Sequence, residues 1–315
     1  MRCEKPHTVG FKEDGKTISW SPKQYSKEYP SFQLPCGKCI QCRLEYARSW
    51  AVRCVHEAKM HEENSFVTLT YSDEHLKNPK LQYSDFQKFM KRLRFVNNDR
   101  KIGVFVTGEY GEKNKRPHWH AIIFNWRPKD CVYKYSNERG DKVYSSKQLE
   151  KLWNFGVCDI GSVTFESAGY VARYAAKKLV HGKDQEHDFH PISRKSSKNA
   201  IGKKFLEKYY KDLFSYGRVI MIDGTKMSIP RYYEKWFQKH HPDEWLCYIE
   251  RVKSEKIAQA EERSKTEERE YFRESMKRLD ELGYSAGAPI TKVEMEKKIV
   301  HANFQKLQSY LKGDI

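Results

Sequence analysis

Hydrophobic and polar residues follow a helical period in some segments of the chain and a strand period in others. From Leu44 to Ala58, apolar residues recur at i, i+3, i+4 and i+7 spacing, which predicts an amphipathic helix. FVTLTY, Phe66 to Tyr71, is rich in β-branched and aromatic residues and predicts a strand. Ser84 is the expected N-cap of a second helix, whose apolar stripe comprises Phe86, Phe89, Met90 and Leu93.

The same two periods continue to about residue 182. GVFVTG (103–108) and RPHWHAIIF (116–124) predict the second and third strands, and VCDIGSVTF (157–165) predicts a fourth. Ser167 is then expected to cap a helix that ends near His181 and Gly182, because glycine is a favoured stop.

The other segments carry weaker patterns. Residues 1–42 are rich in Cys, Pro and Gly, and residues 183–204 are basic and predict a loop. GRVIMIDG and TKMSIP, within residues 217–230, predict a final hairpin. After Pro242 the pattern is helical but polar on every side, which is typical of an exposed arm, an oligomer contact or a partly disordered segment.

The order of these elements predicts an α+β fold, with helices interspersed among strands that are joined by antiparallel-type connections. We expect three parts in the chain. They are a Cys-rich N-terminal segment (1–43), a central domain (44–235) and a charged helical tail (236–315).

The composition favours a polyanionic partner. The 315 residues have a formal net charge of +17, and the basic side chains are interspersed with 20 Tyr, 16 Phe and 7 Trp. Lysine and arginine neutralise phosphates, and aromatic rings stack on unpaired bases. The alternative is a highly charged solvated surface, and charge by itself favours nucleic acid only modestly.

The sequence predicts no membrane partner. No apolar stretch approaches the ~20 residues that a membrane helix needs. The N-terminus, MRCEKPHTVG, lacks the apolar core of a signal peptide. We therefore expect a cytoplasmic protein.

Three cysteines at C-x-x-C-x-x-C spacing predict a metal site near the N-terminus. In CGKCIQC, the thiolates of Cys36, Cys39 and Cys42 can face one ion from two short loops, with glycine easing the first turn. Zinc needs a fourth ligand. Cys3 is the first choice, because Cys54 falls on the apolar face of the following helix and is better explained as part of the core.

Other interpretations of the cysteines stay open. His7 and His56 are weaker candidates for the fourth position. A disulfide framework is disfavoured in the cytoplasm, and an iron–sulfur cluster is the more serious alternative, because the bacterial ferredoxin motif begins with the same spacing. That motif continues with Cys-Pro, whereas this chain has Tyr46 and Ala47, so structural Zn²⁺ is the preferred interpretation.

Two histidines share one face of the third predicted strand. Because strand side chains alternate, His118 and His120 lie on the same face while Trp119 points the other way. Two imidazoles at this spacing can bind a cation or can be a coincidence. Glu109, in the turn TGEYGE at the end of the preceding strand, adds an oxygen ligand if the two strands pair; the alternative is a solvated turn carboxylate.

Two tyrosines and a lysine lie on one face of the predicted helix GYVARYAAKKL. Tyr170, Tyr174 and Lys177 are spaced i, i+4 and i+7. Core packing is the ordinary explanation for aromatic residues at this spacing. A phenol is nevertheless a competent nucleophile toward phosphate, and a divalent cation on the two histidines would neutralise the non-bridging oxygens of a phosphodiester.

Taken together, these motifs resemble those of the HUH endonucleases that initiate rolling-circle replication. The resemblance is closest to the replication initiator proteins of the Microviridae, small icosahedral single-stranded DNA phages, and among them the gokushoviruses. FVTLTY is similar to the first motif of that family and HWH to its metal-binding motif. Tyr170 and Tyr174 match the paired catalytic tyrosines, and Lys177 matches the lysine three residues beyond the second tyrosine. PCGKCIQCR, followed by Trp50 and Arg53, is similar to the N-terminal signature.

The resemblance implies an HUH endonuclease fold, in which a central antiparallel sheet carries the histidines on an inner strand and the tyrosine helix packs across it. It implies Mg²⁺ or Mn²⁺ at Glu109, His118 and His120, and nicking of a phage origin through a 5′-phosphotyrosyl intermediate, followed by strand transfer and religation. The implied partners are origin DNA, a host helicase and a host polymerase, in the cytoplasm of the bacterial host. SRKSSKNAIGKKF departs from the family pattern, in which Pro-Gly precedes Ile-Gly.

Two alternatives stay open. One is a different HUH enzyme, either a relaxase or a single-strand transposase. The other is a non-enzymatic zinc-bearing DNA-binding protein, in which the histidines and tyrosines only contribute to packing.

Overall fold

The chain begins with a small antiparallel sheet. The structure is a computed structural model that describes residues 3–111, 115–137, 140–177, 192–196, 199–283 and 289–313. In it, β1 (His7–Phe11) is flanked by β2 (Ile18–Ser19) and β3 (Phe32–Leu34), in the order β2-β1-β3. A short 3-10 turn, Pro22–Gln24, precedes β3.

A seven-stranded sheet follows, and every pair of neighbouring strands in it is antiparallel. Its strand order is β10-β5-β6-β4-β9-β8-β7. The strands are β4 (Asn64–Thr70), β5 (Gly103–Tyr110), β6 (Pro117–Phe124), β7 (Val132–Ser136), β8 (Lys142–Ser145), β9 (Cys158–Gly161) and β10 (Ile192–Lys195). All eight residues of β6 are buried, as expected for an inner strand with a helical layer on both faces. The prediction of an α+β fold is confirmed.

Helices cover both faces of this sheet. They are α1 (Ile40–Ala58), α2 (Tyr83–Val96), α3 (Lys147–Trp153) and α4 (Phe165–Lys177). Side chains of α2 and α3 join one hydrophobic core, and side chains of α1 and α4 join a second one. Strand alternation separates the two cores: Val67 and Leu69 of β4 lie in the first, whereas Phe66 packs against the second. Cys54 is fully buried in the second core, as expected.

Two predicted helix caps are wrong. The second helix already begins at Tyr83, after Gln82, so Ser84 lies inside its first turn. The tyrosine helix is capped by Thr164, whose hydroxyl oxygen accepts a hydrogen bond from the backbone N–H of Ser167 at 3.2 Å. Ser167 returns the contact by accepting from the backbone N–H of Thr164, which is a reciprocal capping arrangement. Ser167 is therefore a residue of the first turn.

Three predicted boundaries differ from the structure. The fourth predicted strand, 157–165, is ordered as β9 only over Cys158–Gly161, because Phe165 already belongs to α4. Part of the predicted loop 183–204 is strand β10, an edge strand whose sequence ISRK has no apolar alternation to reveal it. Residues 178–191, where we expect the end of α4 near His181 and Gly182, lie outside the described residues.

The second unit of the chain is helical. Contacts divide the chain into Met1–Ile201 and Gly202–Ile315, and the predicted division at residues 43 and 235 stays a prediction. The predicted hairpin is present as β11 (Val219–Ile220) and β12 (Lys226–Met227). The helices are α5 (Lys203–Tyr216), α6 (Arg231–His240), α7 (Pro242–Cys247), α8 (Ser254–Glu281) and α9 (Lys292–Gly313), with a π-helical turn at Tyr248–Lys253. Among the described residues, no helix is long and apolar enough to cross a membrane.

Candidate metal centres and nucleophile

Glu109, His118 and His120 form a buried cluster, which we call the Glu-His-His site. In the pairing of β5 with β6, Glu109 lies opposite His118, and Thr107 lies opposite His120. Glu109 Oε1 is 3.0 Å from His118 Nε2 and 2.8 Å from His120 Nε2. Glu109 is thus a residue of strand β5 and not of a turn, and the alternative of a solvated carboxylate is wrong because the side chain is 7% exposed.

A glycine allows the two strands to hold this register. Gly108 lies opposite Trp119, and a Cβ added at Gly108 would be 2.6 Å from the Trp119 ring. The indole therefore lies across β5 on the face away from the histidines, where its Nε1–H donates to the hydroxyl of Tyr71 at 3.2 Å. Because a register shift of one residue would move both histidines to the other face, this packing contributes directly to the Glu-His-His site.

Both imidazoles are oriented by a contact on their other nitrogen. His118 Nδ1 is 3.2 Å from the carbonyl oxygen of Arg116, and His120 Nδ1 is 3.0 Å from the hydroxyl of Thr68. A carbonyl only accepts, so Nδ1 of His118 carries a hydrogen, and in the neutral ring Nε2 presents a lone pair to the Glu109 oxygen. Two acceptors at 3.0 Å are compatible if a cation, or a second proton on the ring, lies between them.

The electrostatics of the cluster favour an anionic glutamate beside a neutral His120. Burial raises the pKa of Glu109, but His120 and His118 outweigh burial and lower the pKa to about 2. Burial lowers the pKa of His120, against the opposing effect of Glu109. Glu109 Oε2 is buried without a hydrogen-bond partner among the described residues. One carboxylate and two imidazoles, with ligand atoms within 4.8 Å of one another, therefore fit a divalent cation.

Tyr170 reaches the same carboxylate from the facing helix. Its hydroxyl donates to Glu109 Oε1 at 3.0 Å, and its ring meets the His120 ring edge-on, with centroids 5.0 Å apart. The His120 ring stacks in turn on Phe66, at an interplanar angle of 6°. The backbones of Tyr174 and Lys177 continue α4, and the side chains of both residues lie outside the described part of the structure.

The four predicted cysteine ligands also come together. Cys3, Cys36, Cys39 and Cys42 place their Sγ atoms within 4.8 Å of one another, so the structure brings Cys3 to the three cysteines of the motif. Cys3 Sγ and Cys39 Sγ are 3.9 Å apart, close to the ~3.8 Å edge of a tetrahedron with Zn–S bonds of ~2.3 Å. This separation is too long for a disulfide.

Backbone N–H groups surround the cysteine thiols. The N–H groups of Lys38 and Cys39 donate to Cys36 Sγ at 3.4 and 3.3 Å, in a turn that Gly37 permits with a φ of 72°. Burial raises the pKa of the Cys36 thiol, but these hydrogen bonds outweigh it and lower the pKa to about 6. Burial raises the pKa of Cys42. Four sulfur ligands around one small space fit a single thiophilic ion, whereas a multi-iron cluster would need room for its own iron and sulfide atoms.

The sequence does not single out three groups that shape the Glu-His-His site: Thr68, Phe66 and the carbonyl of Arg116. Thr68 and Phe66 belong to FVTLTY, in which alternation places Phe66 and Thr68 on one face. The only signal for their roles is that motif itself, because nothing local pairs Thr68 with a histidine 52 residues away.

Comparison with known proteins follows the same outline. A family model for replication-associated proteins of the ORF2 type matches residues 64–179, the segment that contains the Glu-His-His site and Tyr170. Replication-associated protein VP4 of Bdellovibrio phage phiMH2K is 44% identical over 99% of this chain and 100% of that protein. The chain belongs to the replication-associated proteins of Microviridae-type phages.

Other members of this family are more distant from the chain. Replication-associated protein ORF4 of Chlamydia phage 1 is 36% identical over 66% of this chain and 54% of that protein. Replication-associated protein ORF2 of Spiroplasma virus 4 is 30% identical over 82% of this chain and 87% of that protein. No solved structure matches the chain.

Proposed function

We propose that this replication-associated protein is an HUH-type DNA endonuclease and strand transferase that initiates rolling-circle replication of a phage genome. The observation that carries the proposal is the contact between Tyr170 and Glu109. A phenol and a cation-binding group of three residues meet at 3.0 Å, inside the segment that matches the replication-associated family. This combination is suited to attack of a tyrosine on a DNA phosphodiester.

Glu109, His118 and His120 would hold Mg²⁺ or Mn²⁺, which supplies Lewis-acid neutralisation of the phosphate oxygens. The chain itself holds the nucleophile in position. Phe66 and His120 fix the Tyr170 ring, while Glu109 accepts the hydrogen bond of its hydroxyl. With a pKa of about 2, Glu109 stays ionised at neutral pH and orients that hydroxyl without taking up its proton.

The reaction forms one ester bond and breaks another. The tyrosine oxygen attacks phosphorus and becomes esterified to the 5′ phosphate, and the 3′ oxygen leaves as a hydroxyl, where a host polymerase can extend the strand. The phosphotyrosyl bond conserves the energy of the cleaved phosphodiester, so religation needs no ATP. Tyr174, four residues after Tyr170 on α4, is the expected second nucleophile for the next round, and Lys177 is expected to favour the phenolate or the developing negative charge.

At the cysteine cluster we propose a structural Zn²⁺ held by Cys3, Cys36, Cys39 and Cys42. Cys39 is the N-cap residue of α1, and α1 packs against α4, which carries Tyr170. Zinc would therefore support the helix layer behind the nucleophile and take no part in the chemistry.

Two alternatives fit less well. A relaxase more often uses three histidines, whereas the cluster in the described residues contains two histidines and a glutamate. A non-enzymatic DNA-binding protein would gain nothing from burying a carboxylate with one oxygen unsatisfied, which costs free energy unless a ligand compensates it.

The decisive experiment is covalent capture of DNA. Purified protein is mixed with labelled circular single-stranded phage DNA and Mn²⁺, and the protein–DNA adduct is separated on a denaturing gel. We expect Tyr170→Phe and Tyr174→Phe each to leave some adduct and the double variant to leave none. Tyr209→Phe, in the second unit, is the control and should cleave like the wild type.

An adduct formed by the double variant would show that the nucleophile lies elsewhere and would reject the proposal. Full cleavage in excess EDTA would remove the cation from it. His118→Ala should lose cleavage while retaining DNA binding, which separates chemistry from recognition.

A further inference from the structure

The face of the seven-stranded sheet that carries the Glu-His-His site continues well beyond it. Thr68, bonded to His120 on this face, lies opposite Asp159 of β9. Because directly opposed residues of antiparallel strands point to the same side, Asp159 shares the face. Its neighbours Cys158 and Ile160 are fully buried in the core of the other face, which confirms the alternation.

Beyond β9, the same face reaches the hairpin of β7 and β8. Lys134 Nζ is 2.8 Å from Asp159 Oδ1, which brings the Lys134 side chain to this face. The register shifts between Tyr133 and Tyr135, so Lys134 is the extra residue of a β-bulge. Tyr135 lies opposite Val143, and the Lys134 ammonium is 5.9 Å from the centre of its ring.

The two tyrosines of β7 therefore lie on opposite faces. Tyr133 is opposite Tyr144, which packs on the core that lies away from the histidines. Tyr135 is on the face of the Glu-His-His site, together with Lys134 and Asp159. Both tyrosines are well exposed, 55% for Tyr133 and 45% for Tyr135.

The path between the site and Tyr135 is open. Thr68 and Asp159 are half-buried, and all five residues of β7 are exposed. The path crosses from β6 over β4, β9 and β8 to β7, four strand spacings of ~4.8 Å, or about 19 Å. At a stacked rise of ~3.4 Å per nucleotide, about six nucleotides span this distance.

The chemistry of this path suits single-stranded DNA. The outer edge of β7 would be an attractive docking site for another strand, but an exposed lysine and a bulge are features that oppose such pairing. An exposed phenol ring is a stacking surface for an unpaired base. Lys134 also neutralises Asp159, a carboxylate that would otherwise repel phosphates on this path.

We propose that Tyr135 is a stacking platform for an unpaired base, about six nucleotides from the scissile phosphate, on a single strand that runs along this face from the Glu-His-His site. Lys134 keeps the path between them free of net negative charge. The inference rests on the proposed function, because it assigns single-stranded DNA as the ligand of the same face.

The test is binding of a fluorescein-labelled 20-nucleotide oligothymidylate to the full chain, measured by anisotropy in EDTA so that cleavage does not interfere. Tyr135→Ala should raise Kd by about five- to a hundredfold, the range that alanine substitution of a base-stacking aromatic residue produces. Tyr135→Phe keeps the ring and should bind within about twofold of the wild type.

Tyr133→Ala is the matched control, since it removes the same side chain from the same strand on the opposite face. It should bind within about twofold of the wild type. An unchanged Kd for Tyr135→Ala, or equal losses for Tyr133→Ala and Tyr135→Ala, would overturn the inference. Both variants should melt within about 3 °C of the wild type, because both side chains are exposed.

A charge experiment tests the path independently. Lys134→Met leaves Asp159 unneutralised and should weaken oligothymidylate binding severalfold, and adding Asp159→Asn should restore it. Failure of that restoration would argue against a strand passing Asp159.

The two proposals fail separately. If the wild type forms the covalent adduct but Tyr135→Ala binds oligothymidylate normally, the stacking platform is wrong and the nuclease stands. If the Tyr170→Phe/Tyr174→Phe variant still forms an adduct, the assigned nucleophiles are wrong whatever Tyr135→Ala does.

Discussion

The two candidate metal centres of this protein are built in opposite ways. Three of the four cysteines lie within seven residues of one another, in a half-buried turn and the helix start that follows it. The Glu-His-His site instead draws its ligands from two paired strands, and all three residues are buried. The first centre is local in the sequence, whereas the second depends on strand register.

This difference predicts different responses to metal removal. Around the cysteines, the contacts within the cluster are weak hydrogen bonds to sulfur, so a bound ion would supply much of the free energy that holds this segment together. The Glu-His-His ligands are held by the sheet and by Thr68 and Arg116, with or without an ion. Loss of metal should therefore unfold the first centre and only inactivate the second.

The largest expected effect is on cleavage. Glu109→Gln keeps the shape of the side chain but removes the anion, so cleavage of circular single-stranded DNA should fall by about a thousandfold, equivalent to several kcal/mol of lost transition-state stabilisation. Glu166→Gln is the control, because Glu166 is exposed on the first turn of the helix that carries Tyr170. Wild-type cleavage by Glu109→Gln, measured with Mn²⁺, would contradict the assigned site.

The next effect is on folding of the cysteine centre. Cys42→Ser should remove one equivalent of zinc, measured by elemental analysis, and lower Tm by roughly 5–10 °C, because the ion stabilises the folded state. Cys247→Ser, at an exposed cysteine outside the cluster, should change neither quantity. Retention of zinc by Cys42→Ser would show that Cys42 is not a ligand.

A smaller effect should follow from the contact that orients His120. Thr68→Val removes the hydroxyl that lies 3.0 Å from His120 Nδ1, and should weaken Mn²⁺ binding at the Glu-His-His site by about ten- to a hundredfold. Thr68→Ser retains the hydroxyl and should stay close to the wild type. Equal Mn²⁺ affinities for Thr68→Val and Thr68→Ser, in a calorimetric titration, would mean that the contact does not tune the site.

The smallest effect is a difference in thiol reactivity after zinc removal. The pKa of Cys36 is lowered to about 6, so its thiolate forms as pH rises through about 6 and not through the usual 9.0. Burial raises the pKa of Cys42, which therefore stays protonated at neutral pH. At pH 7, iodoacetamide should modify Cys36 before Cys42, as followed by peptide mass mapping, and the rate at Cys36 should fall below about pH 6. Modification of Cys42 first would reverse this order.

Sequence patterns predicted the local parts of this protein well. The period of three to four residues indicates α1 and α2, and strand alternation places His118 and His120 on one face. Edge elements were harder to predict, because β10 has no apolar alternation and β7 is exposed along its whole length. The caps at Ser84 and Ser167 were misplaced, since several neighbouring polar residues can satisfy the same first-turn N–H groups.

By itself, the sequence determined the ligand types, the spacing of the cysteine motif and the faces of the individual helices and strands, because each of these follows from backbone periodicity over a few residues. Only the tertiary structure decided that Glu109 pairs opposite His118, that Thr68 orients His120 and that the hydroxyl of Tyr170 meets the same carboxylate. It also decided that Tyr135 and not Tyr133 shares the face of the Glu-His-His site, because a single bulged residue changes the side of the sheet to which the following side chain points.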